Sequence, residues 1–230
     1  GRPVDPILAS PKPFPQADIL ITESTYGDRL HNDALAAEEE LLKIVVETCV
    51  NKGGKLIIPA FSVGRTQEIV YALNNFFNQA RLPKIDVFVD SPLAVNATTV
   101  FRMHPECFNK DFAHVLETDP DPFGFDNLFY ITRVEDSKRL NDHKKPCVII
   151  SASGMMEAGR VKHHLANNIS NPKNTVLVVG YCAPTTLGAR IVRGDKEVSI
   201  HGTLYEVKAG VKKIESFSGH GDYREMIGFL

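Results

Sequence analysis

The feature that most constrains the fold is a repeated alternation of short apolar segments with longer segments of helical character. Each short segment is apolar at consecutive positions and rich in β-branched residues, which predicts a strand buried on both faces. Five such segments recur: KLIIPAF (55–61), IDVFVDS (85–91), NLFYIT (127–132), PCVIISAS (146–153) and TVLVVGY (175–181). Strands of this kind separated by helices predict a Rossmann-like α/β fold, in which helices cover both faces of a parallel sheet.

One more strand and one more helix are expected before this series. The run ADILITEST (17–25) is apolar and β-branched, so we expect a buried strand. The next segment, NDALAAEEELLKIVVETCVNKGG, has apolar residues at helical spacing, Asn32 and Asp33 as capping candidates, and two glycines at its end. These features predict a helix.

The composition is that of a globular protein with no membrane segment. The 230 residues are 43% hydrophobic, which is enough to bury a full core. No apolar run approaches the roughly 18 to 20 residues that cross a bilayer, and the N-terminal region lacks a secretion signal. We therefore expect no membrane partner and a cytoplasmic location. Because the net charge is −2, a nucleic-acid ligand would have to be held by a local patch.

The cysteines and the chain ends each carry a further expectation. The four cysteines occur singly and form no CxxC pair, so neither a zinc ribbon nor a disulfide framework is predicted. The chain starts at Gly1 rather than at Met and stops at Leu230 inside an apolar, helix-like stretch. Together these ends lead us to expect an excerpt from a longer protein.

The junctions between strands and helices are the first place to look for a ligand site. In an open parallel sheet, ligands bind beyond the carboxyl ends of the strands, where the next helices present backbone N–H groups. The junctions here read SVGR (62–65), DSPLA (90–94), TRVEDS (132–137), SASGMMEAGR (151–160) and GYCAPTTLGAR (180–190). Glycine, hydroxyl and arginine residues suit a polyanion such as nucleic acid. Glycine and serine are also ordinary turn and N-cap residues, so the pattern alone leaves both interpretations open.

Two polar residues outside these junctions are candidates for chemistry. Glu23 lies where the expected strand 17–25 ends in a turn, and His220 stands between two glycines just before a predicted helix. A histidine in that setting is poorly suited to a core and well suited to a cleft. From spacing alone, each residue is about as well explained as an ordinary turn residue.

Six segments taken together resemble one known family. They are ITESTYGDR (21–29), GGKLIIPAFSVGRTQEIVYAL (53–73), DSPLA (90–94), IISASGMMEAGR (149–160), VVGYCAPTTLGARI (178–191) and SFSGHGDY (216–223). In this order they resemble the β-CASP branch of the metallo-β-lactamase superfamily, which includes RNase J, the endonuclease that cleaves pre-mRNA 3′ ends, and Artemis. The resemblance runs over nearly the whole chain.

The resemblance implies a division of the chain into three parts. Residues 1–27 would be the C-terminal edge of a first metallo-β-lactamase segment of the αββα fold, and residues 28–200 the inserted β-CASP cap. Residues 201–230 would start the returning metallo-β-lactamase segment. The change from Glu197 onward to short alternating strands with glycine turns agrees with a boundary near residue 200.

The resemblance also implies roles for individual residues. Glu23 falls on the acidic residue of the family's motif A, and His220 on the histidine of motif B. Ser218 is placed near a phosphate of the substrate, and phosphate contacts are expected from Arg65, Ser151, Ser153 and Arg160. A carboxylate beside an imidazole favours the protonated ring, which can protonate or stabilise the departing oxygen in phosphodiester hydrolysis.

The chain departs from the family pattern at the metal site. The family binds two zinc ions, which generate a hydroxide nucleophile, but its HxHxDH motif is absent from this sequence. We therefore expect zinc in the full-length parent, none in this chain, and no hydrolysis by this chain alone.

The expected partner is single-stranded RNA, with DNA a weaker candidate, and self-association is expected through residues 18–25 and 212–217. The leading hypothesis is the substrate-binding cap of a zinc-dependent ribonuclease. The alternative is a non-catalytic RNA-binding or assembly subunit of an RNA-processing complex. A nucleotide-binding Rossmann domain is weakly supported, because no GxGxxG motif or P-loop occurs.

Overall fold

A computed structural model describes residues 2–13, 16–30, 34–214 and 217–229. The strands are β1 (Lys55–Pro59), β2 (Asp86–Asp90), β3 (Leu128–Ile131), β4 (Cys147–Ser151), β5 (Thr175–Val178), β6 (Glu197–Ile200), β7 (Thr203–Glu206) and β8 (Gly210–Lys213). The helices are α1 (Ala34–Val45), α2 (Arg65–Asn78), α3 (Pro92–Met103), α4 (Lys110–Val115), α5 (Val134–Asp142), α6 (Val161–Asn168), α7 (Leu187–Arg193) and α8 (Tyr223–Phe229). A π-helical turn, Val46–Asn51, continues α1, and a 3₁₀ turn, Pro105–Cys107, precedes α4.

Six of these strands form one parallel sheet in the order β3-β2-β4-β1-β5-β8. The other two, β6 and β7, form an antiparallel hairpin. Its turn contains His201 and Gly202, whose φ angles are 52° and 79°, as expected for a two-residue turn that matches strand twist. None of the helices in the described ranges is long and apolar enough to cross a membrane.

Helices cover both faces of the sheet, because successive side chains of each strand point to opposite faces. In β1, Leu56 and Ile58 pack with helices α1 to α4, whereas Ile57 packs with α5, α6, α7 and the β6–β7 hairpin. All three β1 side chains have no exposed surface. The prediction of a parallel α/β sheet with helices on both faces is confirmed, and each of β1 to β5 lies within its predicted segment.

The predicted strand at residues 17–25 is wrong. No strand forms there, and Ile19 and Ile21 are 82% and 93% exposed. An apolar, β-branched run becomes a strand only when a neighbour pairs with its backbone, and among the described residues this stretch has no such neighbour. The nearest pairing is a single bridge between Tyr26 and Asp222.

The helix predicted after this run is present as α1 and its π-helical continuation. The capping candidates Asn32 and Asp33 lie outside the described residues. Beyond residue 200, β8 returns to the main sheet and pairs with β5. The three-part division of the chain stays a prediction.

A buried carboxylate ties together the connections at the carboxyl edge of the sheet. Asp90, the last residue of β2, is fully buried. It accepts hydrogen bonds from His164 Nε2 at 2.6 Å, Arg160 Nη1 at 2.7 Å and Ser137 Oγ at 2.5 Å. Burial raises the pKa of this carboxyl, but the three hydrogen bonds outweigh it and hold the pKa below its usual value. Asp90 therefore joins β2 to α5, to α6 and to the turn before α6.

Replacing Asp90 by Asn tests the importance of this cluster. The substitution leaves Arg160 charged, largely buried and without its carboxylate, so we expect a loss of about 3–5 kcal/mol in the free energy of unfolding. Urea unfolding measures this loss. The control is Asp136→Asn, which breaks an exposed pair with Arg139 at 3.0 Å and should cost less than about 1 kcal/mol. Equal losses in the two variants would contradict the role given to Asp90.

Candidate functional site

A cleft of about 470 Å³ opens at the carboxyl edge of the sheet. Its walls come from the turns that follow β1 and β5, from residues near the N-terminus, and from the loop before α8. This is the edge at which the next helices begin, so backbone donors and polar turn residues collect there. The lining includes Arg65, Glu68, Ser218 and His220.

Glu23 and His220, nearly two hundred positions apart, meet at this cleft. Nδ1 of His220 lies 2.8 Å from a carboxylate oxygen of Glu23. The side chain of His220 is 54% exposed, and that of Glu23 is 34% exposed. The same carboxylate accepts a hydrogen bond from the backbone N–H of Thr25 at 3.4 Å. Partial burial raises the pKa of Glu23, but the Thr25 bond and the charge of His220 outweigh it and lower the pKa overall. The contact favours an ionised carboxylate beside the ring.

The backbone explains how this contact forms. The bridge between Tyr26 and Asp222 brings the segment that carries Glu23 beside the loop that carries His220. Within that loop, Ser218 Oγ accepts a hydrogen bond from the backbone N–H of His220 at 3.2 Å. Ser218 is 7% exposed, so the loop is folded against the cleft rather than extended into solvent.

The start of α8 fixes the other side of the loop. Asp222 accepts a hydrogen bond from the backbone N–H of Glu225, and Glu225 accepts one from the backbone N–H of Asp222, both at 2.9 Å. This reciprocal arrangement is a capping box, which defines the first turn of a helix. Arg2 adds a bidentate ion pair to Glu225, with a shortest distance of 2.8 Å. The loop that carries His220 is thus held by the bridge to Tyr26, by the cap of α8 and by Arg2.

An aromatic side chain supports the histidine from behind. Tyr26 is 3% exposed, and its ring centroid lies 6.3 Å from that of His220 and 6.4 Å from that of Tyr181. The contact with Tyr181 is edge-to-face, an arrangement that aromatic rings prefer. Tyr26 therefore links the histidine to the wall of the cleft formed after β5.

A second ion pair lies in the cleft. Arg65 and Glu68, three residues apart on α2, form a salt bridge, and their side chains are 8% and 10% exposed. The Arg65 guanidinium also lies 5.9 Å from the ring centroid of Phe217. Burial is the main cause that raises the pKa of Glu68, to about 7, and the nearby carboxylate of Asp5 adds to the increase. Arg65 offsets only part of this increase.

The remaining predicted phosphate contacts lie elsewhere along the same edge. Ser151 is 1% exposed and donates its hydroxyl hydrogen to the carbonyl of Asp90 at 2.8 Å. Arg160 binds Asp90 and donates to the carbonyl of Thr132 at 2.7 Å. Ser153 Oγ lies 3.3 Å from the carbonyl of Ala158. The hydroxyls of Ser151 and Ser153 contact backbone carbonyls, and three of the five N–H groups of Arg160 are used within the protein. The predicted role of these residues stays a prediction.

Sequence reasoning missed several residues that shape the site. Glu68 is one of them, although it lies three residues after Arg65, a spacing that favours a helical ion pair because residues three apart share a helix face. The pair between Arg2 and Glu225 spans 223 positions, and no local pattern signals it. The contact between Asp90 and His164 joins a strand end to a helix 74 positions later, which only the fold reveals.

The described residues do not form a metal site. Across residues 2–13, 16–30, 34–214 and 217–229, no group of three or more His, Cys, Asp or Glu side chains is placed to hold a metal ion. All four cysteines are free thiols. Zinc therefore has no set of ligands among these residues.

Comparison with known families gives two matches. Residues 66–191 match the Beta-Casp domain. Residues 204–230 match the model described as the Zn-dependent metallo-hydrolase RNA specificity domain. The first match covers more than half of the chain, including β2 to β5 and the helices between them.

Similar curated proteins come from bacteria and archaea. Over 97% of its length, the chain is 35% identical to Ribonuclease TTHA0252 of Thermus thermophilus and 34% identical to an RNase J-like protein of Methanocaldococcus jannaschii. It is also 31% identical, over 94% of its length, to Transcription termination factor FttA of Methanosarcina mazei. The chain spans about half of the first two relatives (51%) and 35% of the third.

The raised pKa of Glu68 predicts a pH-dependent stability. The unfolded chain releases this proton near the ordinary value of 4.5, whereas the folded chain holds it to about 7. Since the folded state binds more protons in this window, the contribution of Glu68 to the free energy of unfolding falls as the pH rises from 4.5 to 7. Gln does not titrate, so the free energy of unfolding of Glu68→Gln lacks this decrease. As the pH rises from 5 to 8, it should therefore shift by about 1–3 kcal/mol in favour of the variant, relative to the unmodified protein.

Urea unfolding at four pH values between 5 and 8 checks this sign and size. Glu135→Gln is the control, because Glu135 is 66% exposed and should show no such trend. Parallel stability curves for the unmodified protein and Glu68→Gln would show that Glu68 does not titrate in this window.

Proposed function

This chain belongs to the Beta-Casp family, and from that premise we propose that it is the substrate-binding part of a zinc-dependent nuclease that hydrolyses RNA phosphodiester bonds. The family relation and relatives named as ribonucleases support a hydrolytic nuclease. In this proposal residues 28–200 form the cap over the substrate, and residues 1–27 and 201–230 belong to the catalytic core. The observation that carries the proposal is the 2.8 Å contact of Glu23 and His220 at the mouth of the cleft.

Glu23 and His220 have the geometry of a proton-donating pair. Glu23 accepts the hydrogen bond at Nδ1, which fixes the tilt of the imidazole and assigns proton transfer to the opposite ring nitrogen, Nε2. We assign to Nε2 the protonation of the oxygen that leaves when the phosphodiester bond breaks. Ser218, two residues away, would hold the adjacent phosphate through its hydroxyl. Glu23 is then a positioning residue, and His220 a catalytic one.

Zinc belongs to the proposal only for the whole protein. The family description names zinc, but the described residues supply no group of ligands that fits it. When bound in this family, zinc supplies a hydroxide nucleophile at neutral pH. This chain would contribute recognition, orientation and the proton for the leaving group.

The proposed substrate is single-stranded RNA. The match to an RNA specificity domain and the relatives named as ribonucleases support RNA over DNA. Because the net charge is −2, binding depends on the local donors of the cleft rather than on the field of the whole molecule. Arg65, Ser218 and His220 are those donors.

A non-catalytic RNA-binding subunit is the second candidate. Several relatives carry the name Transcription termination factor FttA, which describes a process rather than a cleavage reaction. In that case the cleft would bind RNA, and the contact between Glu23 and His220 would serve binding alone.

Binding of RNA by this chain is the first test. A fluorescently labelled single-stranded RNA should bind weakly at low salt, and the logarithm of the association constant should fall linearly with the logarithm of salt concentration, by about 0.7 for each phosphate contacted. Fluorescence anisotropy at several salt concentrations measures both quantities. If a folded sample shows no binding at low salt, the cap assignment fails.

Cleavage by the full-length protein tests the catalytic assignment. His220→Ala should lower the rate of RNA cleavage by about 10²–10⁴-fold, the usual contribution of a positioned acid. Glu23→Gln should have a smaller effect in the same direction, and a zinc chelator should abolish cleavage. His114→Ala is the matched control, since His114 is 79% exposed and pairs with Glu117 away from the cleft. An undiminished rate in His220→Ala leaves only the binding role.

A further inference from the structure

Two aromatic rings in the cleft are far more exposed than the rest of the aromatic core. Phe61 is 47% exposed and Tyr181 is 40% exposed, whereas Phe112 and Phe123 are at most 1% exposed. Phe61 follows β1 and Tyr181 follows β5, and these two strands pair in parallel. Both rings line the same cleft as Ser218 and His220. Their exposed surface therefore faces the proposed path of the substrate.

Each ring is held in place by its own support. Phe61 lies so close to Gly154 that a Cβ added there would stand 3.1 Å from Phe61 Cδ2, tighter than an ordinary contact. The carbonyl of Phe61 also accepts a hydrogen bond from the hydroxyl of Thr66 at 2.8 Å. Tyr181 meets the edge of the buried Tyr26 ring at an interplanar angle of 81°. These supports lower the entropy that a ligand would lose by ordering the rings.

The neighbourhood of the rings specifies what they bind. Tyr26 contacts both Tyr181 and His220, and these two residues line the same cleft, so a ligand lying on Tyr181 would share that cleft with the proposed proton donor. The same cleft offers Arg65, Ser218 and His220, which suit phosphate oxygens. A ligand with flat apolar faces and an anionic backbone matches both features. A single strand of nucleic acid has this chemistry, because its unpaired bases stack on aromatic rings.

We propose that Phe61 and Tyr181 form a stacking platform for unpaired bases of single-stranded RNA next to the Glu23 and His220 pair. The inference rests on the proposed function, and it adds the feature that selects single strands. Bases in a duplex are already stacked and paired, so they cannot lie on these rings without unpairing. Because every base has a flat π face, the platform is tolerant of base sequence.

The test uses single-stranded RNA that contains 2-aminopurine, a base whose fluorescence is quenched by stacking. Phe61→Leu and Tyr181→Leu remove the flat ring while keeping an apolar side chain. Each should weaken binding by about 5- to 150-fold and reduce the quenching. The salt dependence of binding should stay unchanged, because the phosphate contacts remain. Phe61→Tyr and Tyr181→Phe keep the rings and should bind as the unmodified chain does.

The chain offers a matched control. Phe129 on β3 is 45% exposed but lies outside the cleft, so Phe129→Leu should leave affinity and quenching unchanged. Far-UV circular dichroism and thermal unfolding confirm that each variant is folded. Binding of double-stranded RNA, measured in parallel, should not respond to any of these substitutions.

The outcomes separate this inference from the proposed function. If the double variant Phe61→Leu/Tyr181→Leu binds RNA with unchanged affinity and quenching, the platform is overturned while the RNA-binding function stands. If the unmodified chain binds no RNA, both fail. Sedimentation without RNA tests whether a second copy of the chain packs on the rings instead. If the unmodified chain is an oligomer and the double variant is a monomer, the rings form a contact between copies, and the proposal is overturned.

Discussion

Burial of both faces of the parallel sheet is the constraint on which the rest of the molecule depends. Since helices pack on both sides, the interior strands carry almost no polar side chains, and polar groups are confined to the strand ends. Where the sheet does enclose a charge, at Asp90, three side-chain donors surround it. The cleft lies at the same edge because this is where backbone donors and polar turns are left to face solvent.

The site itself is assembled from segments that the sheet does not order directly. Glu23 comes from an irregular stretch before α1, and His220 from a loop after β8. A single backbone bridge between Tyr26 and Asp222 and a reciprocal helix cap bring them together. Phe61 and Arg65 lie in the turn after β1 and at the start of α2, whereas Glu23 and His220 come from segments nearly two hundred positions apart. The contact between Glu23 and His220 therefore depends on a few long-range contacts rather than on the pairing of the main sheet.

The sheet was predictable from sequence because burial on both faces leaves a local signature. Segments such as KLIIPAF and PCVIISAS are apolar at consecutive positions, and each contains a strand. The same signature misled at residues 17–25, since local composition does not say whether a partner strand exists. The expectation that Glu23 and His220 act together rests on a family resemblance. Their spacing alone does not decide between a functional residue and an ordinary turn residue. Asp90 and His164 needed the fold, because no sequence pattern links a strand end to a helix 74 positions away.

The ion pair between Arg2 and Glu225 gives Arg2 an importance that its place in the sequence does not suggest. Glu225 also closes the cap of α8, and the residues just before that cap carry His220. Removing the guanidinium, as in Arg2→Ala, would loosen the helix start and with it the histidine. A displaced His220 would then originate at a residue more than two hundred positions earlier in the sequence, where inspection of the histidine's own loop would not find the cause.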